Sequence, residues 1–210
     1  MELDHPLRVV TSTLDGDVLR VLALAETEFT PPEIHRLVGE HSVAGIRKGL
    51  ERLVRQGIVL QRGAGRGSLY QLNRDHLAAA AVVQLSRMKE ELLVRMRQEL
   101  EGWEIPSAYA ALFGSAARTD MHPDSDIDLL VIRPRGIEAE DDVWTDQLYE
   151  IAETVRRWTG NGTHVLELGE EEVREAAGNG DPVLVAIGEE GIRIQGPSSF
   201  LRRRLAGVRS

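Results

Sequence analysis

The hydrophobic pattern of the N-terminal part of the chain changes from helical to strand-like spacing. Apolar residues recur at intervals of three and four over Leu14 to Ala25, Thr30 to Gly39 and Ser42 to Gly57, which predicts three helices. Alternation with a period of two then predicts strands in residues 58–62 and 68–72, on either side of a glycine-rich tip. This order predicts three helices followed by a β-hairpin.

The second predicted helix has the clearest boundary signals. Thr30 is placed as its N-cap, Pro31 follows at the first helical position, and Glu33 is spaced to complete a capping box. Gly39 follows the last apolar residues and is placed to end the helix. We therefore expect a short helix with both ends defined by local sequence.

A long apolar and charged stretch follows, from Asp75 to Gly102. It has no internal Gly or Pro, so it predicts one continuous helix of roughly 40 Å at about 1.5 Å per residue. One apolar stripe runs along it, formed by Leu77, Ala81, Leu85, Met88, Leu92, Met96 and Leu100. We expect this stripe to pack against a second subunit in a homodimer, with packing inside one chain as the alternative.

The remainder of the chain predicts a small mixed sheet covered by helices. A strand ends near Phe113, and a second strand continues to Ile132. The further expected elements are a helix closing at Gly160, a strand over Thr163–Leu168, helices over Glu170–Ala177 and Pro182–Ile187, and a short strand over Gly191–Gly196. The basic segment from Phe200 to Arg204 is expected to be a solvated terminus.

These patterns predict a two-domain protein of the α+β or α/β class. The expected division is residues 1–75, a long connecting helix over residues 76–104, and residues 105–210. The chain has no cysteine, which excludes disulfides and thiolate metal sites. No apolar run is long enough to span a bilayer, and the N-terminal residues lack the pattern of a signal peptide, so we expect a cytoplasmic protein without a membrane partner.

Two carboxylates mark the candidate chemistry of the second half. Asp126 and Asp128 are two residues apart at the start of an apolar strand, so both point to one face. Adjacent carboxylates repel unless a cation lies between them, and Mg²⁺ is usually held by one or two carboxylates together with substrate phosphates. Upstream, Gly114 allows close approach of the backbone, and Ser115 adds a hydroxyl to the backbone N–H groups that could receive a phosphate.

This combination, Gly-Ser, then ten intervening residues, then Asp-x-Asp and an apolar run, resembles the DNA polymerase β-like nucleotidyltransferase superfamily, particularly its minimal branch. The resemblance covers roughly residues 105–196. It implies that Gly114, Ser115 and Arg118 hold the triphosphate of an NTP and that Asp126 and Asp128 bind Mg²⁺, with Mn²⁺ as an alternative ion. It also implies transfer of a nucleoside monophosphate to an acceptor, which the sequence does not identify and which could be RNA, a protein or a small molecule.

The resemblance also implies a third catalytic acid on the later strand. Glu167 is the only acid within residues 163–168, so we expect it to complete the catalytic set with Asp126 and Asp128. In the family this acid is commonly an Asp nearer the start of the strand, where His164 stands in this chain. Whether Glu167 or His164 faces the metal site is therefore left open.

The first half of the chain resembles the winged helix-turn-helix domains of bacterial transcription regulators of the MarR and ArsR types, over about residues 8–74. In a chain of net charge −9, residues 36–74 contain eight basic and two acidic side chains. The resemblance implies that the helix beginning at Ser42 enters the major groove of double-stranded DNA. The implied DNA-binding residues are Ser42, Arg47, Lys48 and Arg52 on the helix, and Arg62 and Arg66 on the wing. A protein-binding module with a solvated basic face is the alternative.

Two functions fit these observations. The first is a DNA-binding nucleotidyltransferase whose winged domain regulates transcription or targets the enzyme. The second is a transcription regulator whose nucleotidyltransferase-like domain is not catalytic and binds only a nucleotide or a partner protein.

Overall fold

The computed structural model describes residues 1–39, 41–65, 67–118 and 120–205. The chain divides into two compact units. The N-terminal unit comprises Asp4–Lys89 with Glu2, and the C-terminal unit comprises the chain from Glu90 onward with Met1 and Leu3. The division lies inside the stretch that the sequence predicts as one connecting helix.

The N-terminal unit contains the predicted three helices and hairpin, preceded by a short 3-10 helix. Its elements are the 3-10 helix Pro6–Val9, α1 (Leu14–Leu24), α2 (Pro31–Val38), α3 (Val43–Arg55), β1 (Val59–Ala64), β2 (Gly67–Leu72) and α4 (Ala79–Ser86). β1 and β2 are antiparallel, and Tyr70 of β2 also forms a bridge with Phe29. Val18, Leu22, Ile34, Ile46 and Leu50 have no exposed surface and form the centre of the core.

The boundaries predicted for α2 are confirmed. The Glu33 carboxylate accepts hydrogen bonds from the backbone N–H and the hydroxyl of Thr30, both at 2.7 Å. Pro31 is the first helical residue, and Gly39 ends the helix with a φ of 78°. A carboxylate that satisfies donors at the first turn stabilises the helix start, which is why this boundary could be predicted locally.

The prediction of one continuous helix from Asp75 to Gly102 is wrong. α4 begins only at Ala79 and ends at Ser86, and Arg87 has a non-helical backbone between α4 and α5 (Met88–Glu101). The hydroxyl of buried Ser86 donates to the carbonyl of Val82 at 2.8 Å. A hydrogen bond from a serine side chain to the carbonyl one turn earlier slightly destabilises a helix and often bends it. Here it lies at the point where the helix is interrupted.

The C-terminal unit is a four-stranded mixed sheet with helices on both faces. Besides α5, its elements are β3 (Tyr109–Phe113), α6 (Ser115–Arg118), β4 (Ile127–Arg133), α7 (Asp142–Thr159), β5 (Thr163–Gly169), α8 (Glu170–Gly178), α9 (Pro182–Glu190), β6 (Ile192–Gln195) and α10 (Phe200–Leu205). The strand order is β5-β4-β3-β6, in which only the β4–β5 pair is parallel. The predicted small mixed sheet is thus present.

Residues of β4 alternate between the two faces of this sheet. Ile127, Leu129 and Val131 pack with α5 and α7 on what we call the α5–α7 face. Leu130 and Ile132 pack with α8, α9 and α10 on the α8–α10 face. Each face is closed by helices of the same unit.

The C-terminal part of the apolar stripe predicted to form a homodimer is buried inside the chain. Leu92, Met96 and Leu100 are at most 4% exposed and pack on the α5–α7 face against residues such as Trp144 and Ile151. This part of the stripe is covered by its own unit, which agrees with the alternative of packing within one chain. Leu77, in contrast, is fully exposed.

The segment expected to be a solvated basic terminus is a helix packed on the sheet. Phe200 and Leu201 of α10 are buried, and the Phe200 ring stacks on Tyr109 with 5.1 Å between the ring centroids. Arg204 donates to Glu170 of α8 at 3.0 Å. The expectation is wrong because these two apolar side chains cover the α8–α10 face of β3. Across the described ranges no helix combines the length and apolar character needed to cross a bilayer.

Candidate functional site

The two aspartates lie at the end of the sheet where three strands meet. Asp128, near the start of β4, pairs with Phe113 at the end of β3 and with His164 near the start of β5. Asp126 immediately precedes β4, and its Oδ2 lies 3.6 Å from His164 Nε2. Because β4 pairs antiparallel with β3 and parallel with β5, the end of β3 and the starts of β4 and β5 lie at one edge of the sheet.

Two glycines provide the space that the carboxylates occupy. Gly114 follows β3 with a φ of 66°, and a methyl group at this position would collide with Asp128 Oδ2. Gly162 precedes β5, and a methyl group there would collide with Asp126 Oδ1. Gly114 thus has the left-handed backbone that favours glycine, and a side chain at this position would displace the Asp128 carboxylate.

The electrostatic environment of Asp128 disfavours its charge. Burial raises the pKa of Asp128 above its ordinary value; His164 acts in the opposite direction, Asp126 raises the pKa further, and Arg118 lowers it. A carboxylate with a neighbouring carboxylate and partial burial is stabilised by a bound cation. The environment thus fits a cation-binding carboxylate.

Glu167 does not join the aspartates. It pairs with Val131, three residues beyond the Asp128–His164 pair, which corresponds to roughly 10 Å along the strands. It also points to the α5–α7 face, as neighbouring Val165 does, and its carboxylate accepts a hydrogen bond from Arg133 at 2.8 Å. Glu167 is therefore separated from the aspartates and lies on the opposite face from His164, because residues three positions apart along a strand point to opposite faces. His164, 71% exposed, is the β5 side chain beside the aspartates.

Gly114, Ser115 and Arg118 lie at the same edge. Ser115 begins the short helix α6, whose backbone N–H groups at Ala117 and Arg118 donate to the Gly114 carbonyl. The Arg118 guanidinium lies 3.3 Å from Asp120 and 3.7 Å from Glu190, and its charge also acts on Asp128. The predicted triphosphate residues and the predicted metal residues are thus close in space.

A cavity of about 300 Å³ adjoins this edge. It is lined mostly by apolar atoms, from Phe113, Gly114, Arg118, Pro182, Val183, Ala186, Ile187, Glu190 and Gly191. The sequence patterns do not indicate the contribution of α9, because only the packing of α9 against β3 brings residues 182–191 beside Gly114. No local motif in α9 points to this role.

The donor set fits a hard divalent ion that is incompletely enclosed by protein. Among the described residues, no cluster of three or more His, Asp or Glu side chains is placed to hold a metal. Two carboxylates remain, and Mg²⁺ commonly takes such a pair together with substrate phosphates and water. Asp126 and Asp128 could therefore hold a divalent ion together with oxygen atoms from a bound phosphate or water.

The residues predicted to bind DNA differ in their surroundings. The Ser42 hydroxyl caps α3 by accepting from Gly45 N–H at 3.1 Å, and Arg47 and Lys48 are exposed on α3. Arg52 forms an ion pair with Asp15, and Arg62 of β1 forms one with Glu28. Arg66 lies outside the described residues.

Comparison with known protein families finds a match within the C-terminal unit. Residues 90–177 match the nucleotidyltransferase domain family, which confirms the predicted resemblance for this segment. No curated protein matches the chain.

Two solved structures are similar to the chain. One is a toxin–antitoxin structure with AMP-PNP, at 17% identity and a TM-score of 0.38, covering 56% of this chain and 81% of that chain. The other is a mutant of the toxin–antitoxin MntA–HpeT, at 13% identity and a TM-score of 0.37, covering 56% of this chain and 80% of that chain.

Proposed function

We propose that the C-terminal unit is a nucleotidyltransferase that transfers a nucleoside monophosphate from an NTP to an acceptor. The observation that carries the proposal is the pair Asp126 and Asp128 seated against Gly114 and Gly162 at one edge of the sheet. The match of residues 90–177 to the nucleotidyltransferase domain supports it. The acceptor oxygen would attack the α-phosphorus, and pyrophosphate would leave.

Each group at the edge has a place in this reaction. Asp126 and Asp128 would hold Mg²⁺, or Mn²⁺ in its place, and the bound ion would supply positive charge for the triphosphate. Gly114 and Ser115 would admit the phosphates close to the backbone, and Arg118 would add a cation. We assign the β5 position in this group to His164, whose Nε2 lies 3.6 Å from Asp126 Oδ2, and give Glu167 no part in it.

A titration with Mg²⁺ and each NTP tests the proposal. A bound nucleotide should raise the melting temperature of the wild type, and acceptor screening with labelled NTPs should detect pyrophosphate release. The double variant Asp126→Asn, Asp128→Asn should lose both effects. Asp146→Asn, an exposed acid on α7, is the matched control and should keep them. Absence of any Mg²⁺-dependent shift in the wild type would overturn the proposal, whereas binding without turnover for any acceptor would favour the non-catalytic nucleotide-binding alternative.

We also propose that the N-terminal unit binds double-stranded DNA through α3, as a winged helix-turn-helix domain does. The supporting observation is that Arg47, Lys48 and Arg55 are exposed on α3 and form no ion pair with any described residue. Arg52 and Arg62, by contrast, are neutralised by Asp15 and Glu28. Cations on one helix that form no ion pair with the described residues suit phosphate contacts. The N-terminal unit would regulate transcription or target the enzyme to DNA, and the C-terminal unit would carry out the nucleotidyl transfer.

Binding of genomic DNA fragments at several salt concentrations tests this second proposal. The double variant Arg47→Ala, Lys48→Ala should bind more weakly, and the slope of log affinity against log salt should fall by about 0.9 for each phosphate that the variant no longer neutralises. The pair Arg156→Ala, Arg157→Ala on α7 removes the same charge and should leave affinity unchanged. Equal binding by both double variants, or no binding by the wild type, would show that α3 is not a DNA-binding helix.

A further inference from the structure

The cavity beside the aspartates contains an acid that the proposed transfer does not use. Glu190 is the only acidic residue among the described residues that line it. Its carboxylate lies 3.7 Å from the Arg118 guanidinium, and both side chains are about half exposed. An ion pair of this length and exposure is weak, so either partner can exchange it for a ligand.

The cavity shares two residues, Gly114 and Arg118, with the candidate triphosphate site. Gly114 lines the cavity and also abuts Asp128, and Arg118 lines it while acting electrostatically on the same carboxylate. A nucleotide with its phosphates at Asp126 and Asp128 would have this cavity beside it, and we take the cavity as the place of its base. The volume of about 300 Å³ lies at the lower end of the range of small-molecule pockets, roughly 300–1,000 Å³.

The lining has the chemistry of a base-binding pocket with one polar contact. Phe113, Pro182, Val183 and Ile187 offer apolar surface to the faces of a planar ring. An ionised carboxylate such as Glu190 only accepts hydrogen bonds. The base that suits this pocket must therefore direct donors toward Glu190.

Guanine is the base that meets this requirement with two neighbouring donors, N1–H and the N2 amino group. A carboxylate can accept from both at once, and such bidentate contacts are strong and directional. Adenine and cytosine place a ring-nitrogen acceptor beside their amino group, and uracil places its single N–H between two carbonyl acceptors. For these three bases one carboxylate oxygen would face an acceptor.

We propose that Glu190 makes the site selective for a guanine nucleotide, by accepting from the Watson–Crick edge of the base while Arg118 turns to the phosphates. This inference rests on the proposed nucleotidyltransferase function. Glu190 is the last residue of α9, where the negative end of the helix dipole disfavours a carboxylate. Removing its charge should therefore leave the fold intact or slightly more stable.

The test compares GTP, ATP, CTP and UTP in the presence of Mg²⁺, by calorimetric binding to the full chain. The wild type should bind GTP about tenfold more tightly than ATP, the discrimination expected of one bidentate contact to a base. Glu190→Gln, which replaces one acceptor with a donor at constant size, should reduce this ratio to about threefold or less while melting at the same or a higher temperature. Glu150→Gln, an exposed acid on α7, should retain the wild-type ratio.

The possible results distinguish the role of Glu190 from the nucleotidyltransferase function on which it rests. Equal binding of all four NTPs, or a GTP preference that persists in Glu190→Gln, would overturn the role of Glu190 and leave the nucleotidyltransferase proposal standing. A wild type that binds no NTP with Mg²⁺ would overturn both. Loss of the GTP preference in Glu190→Gln alone supports the assignment.

Discussion

At the residue scale, Asp128 is a carboxyl group whose ionised form the fold disfavours in the absence of a ligand. Its pKa is raised by burial, with a further contribution from Asp126, so the folded protein disfavours the ionised form. The unfolded chain ionises this group at the ordinary pKa of 3.8, whereas the folded protein ionises it at a higher pH. The free energy of unfolding therefore falls as pH rises from the unfolded pKa through the folded pKa. Below that pH range Asp128 is protonated in both the folded and the unfolded protein, so the destabilisation is absent.

Asp128→Asn should consequently stabilise the protein without ligands at neutral pH. The amide cannot ionise, so the variant escapes the destabilisation, and its advantage should shrink as pH falls toward about 4. Urea unfolding of both proteins between pH 4 and pH 7 measures this difference. A variant that is less stable than wild type at pH 7 would show that Asp128 supports the fold rather than a ligand.

Gly114 permits a second prediction at this scale, with Gly136 as its control. Both have a positive φ, so alanine at either position adds about 1–2 kcal/mol of backbone strain. Only at Gly114 does the new methyl group collide with a side chain, that of Asp128, whereas nothing lies near the corresponding position at Gly136.

Gly114→Ala should therefore be less stable than Gly136→Ala by about 0.5–1.5 kcal/mol, the cost of turning the Asp128 carboxylate away, and should lose the Mg²⁺-dependent NTP shift. Denaturant unfolding and thermal shift measure the two effects. Equal stability together with retained nucleotide binding would contradict the close packing of Gly114 and Asp128.

At the scale of elements, α10 shows how a short apolar pair can anchor a charged segment. Phe200 is 7% exposed, stacks on Tyr109 of β3, and lies under the guanidinium of Arg204 at 3.6 Å from the ring centroid. The sequence Phe-Leu-Arg-Arg-Arg is locally typical of a basic terminus. Its helical structure depends on the apolar face of β3 that it covers, since a six-residue helix is not stable alone.

Phe200→Ala should lower the free energy of unfolding by about 3–5 kcal/mol, as for other buried aromatic residues. Exposed Arg203 on the same helix is the control, and Arg203→Ala should change stability by less than about 0.5 kcal/mol. Unfolding in urea measures both variants. If the two substitutions had the same small effect, the packing of α10 on β3 would be refuted.

At the scale of the whole molecule, α5 belongs to the core of the C-terminal unit. Leu92 is 4% exposed, whereas Val94, two residues along the same helix, is 42% exposed. A charge at Leu92 would be buried among apolar side chains, and a charge at Val94 would be solvated. The stripe expected to join two subunits thus acts within one chain at this position.

Leu92→Glu should destabilise the fold by several kcal/mol, and Val94→Glu should have little effect. Chemical unfolding measures the loss, and light scattering measures the mass of each folded protein. A Leu92→Glu variant that stays as stable as wild type but halves in mass would restore the homodimer interpretation.

Several features of this protein are specified by residues that are close together in the chain. The capping box of Thr30 and Glu33 and the two-residue spacing of Asp126 and Asp128 are of this kind. Each depends on backbone geometry that a few neighbouring residues define. They could be predicted from the sequence because their physical causes are local.

Long-range packing, in contrast, selects the other groups that join the aspartates. The parallel register of β5 against β4 places His164 beside Asp128 and turns Glu167 to the other face, where Arg133 pairs with it. The packing of α9 likewise brings Glu190 to Arg118 from a distant part of the chain. Register and helix packing are set by the fit of complete apolar faces, so no spacing within a single segment contains this information.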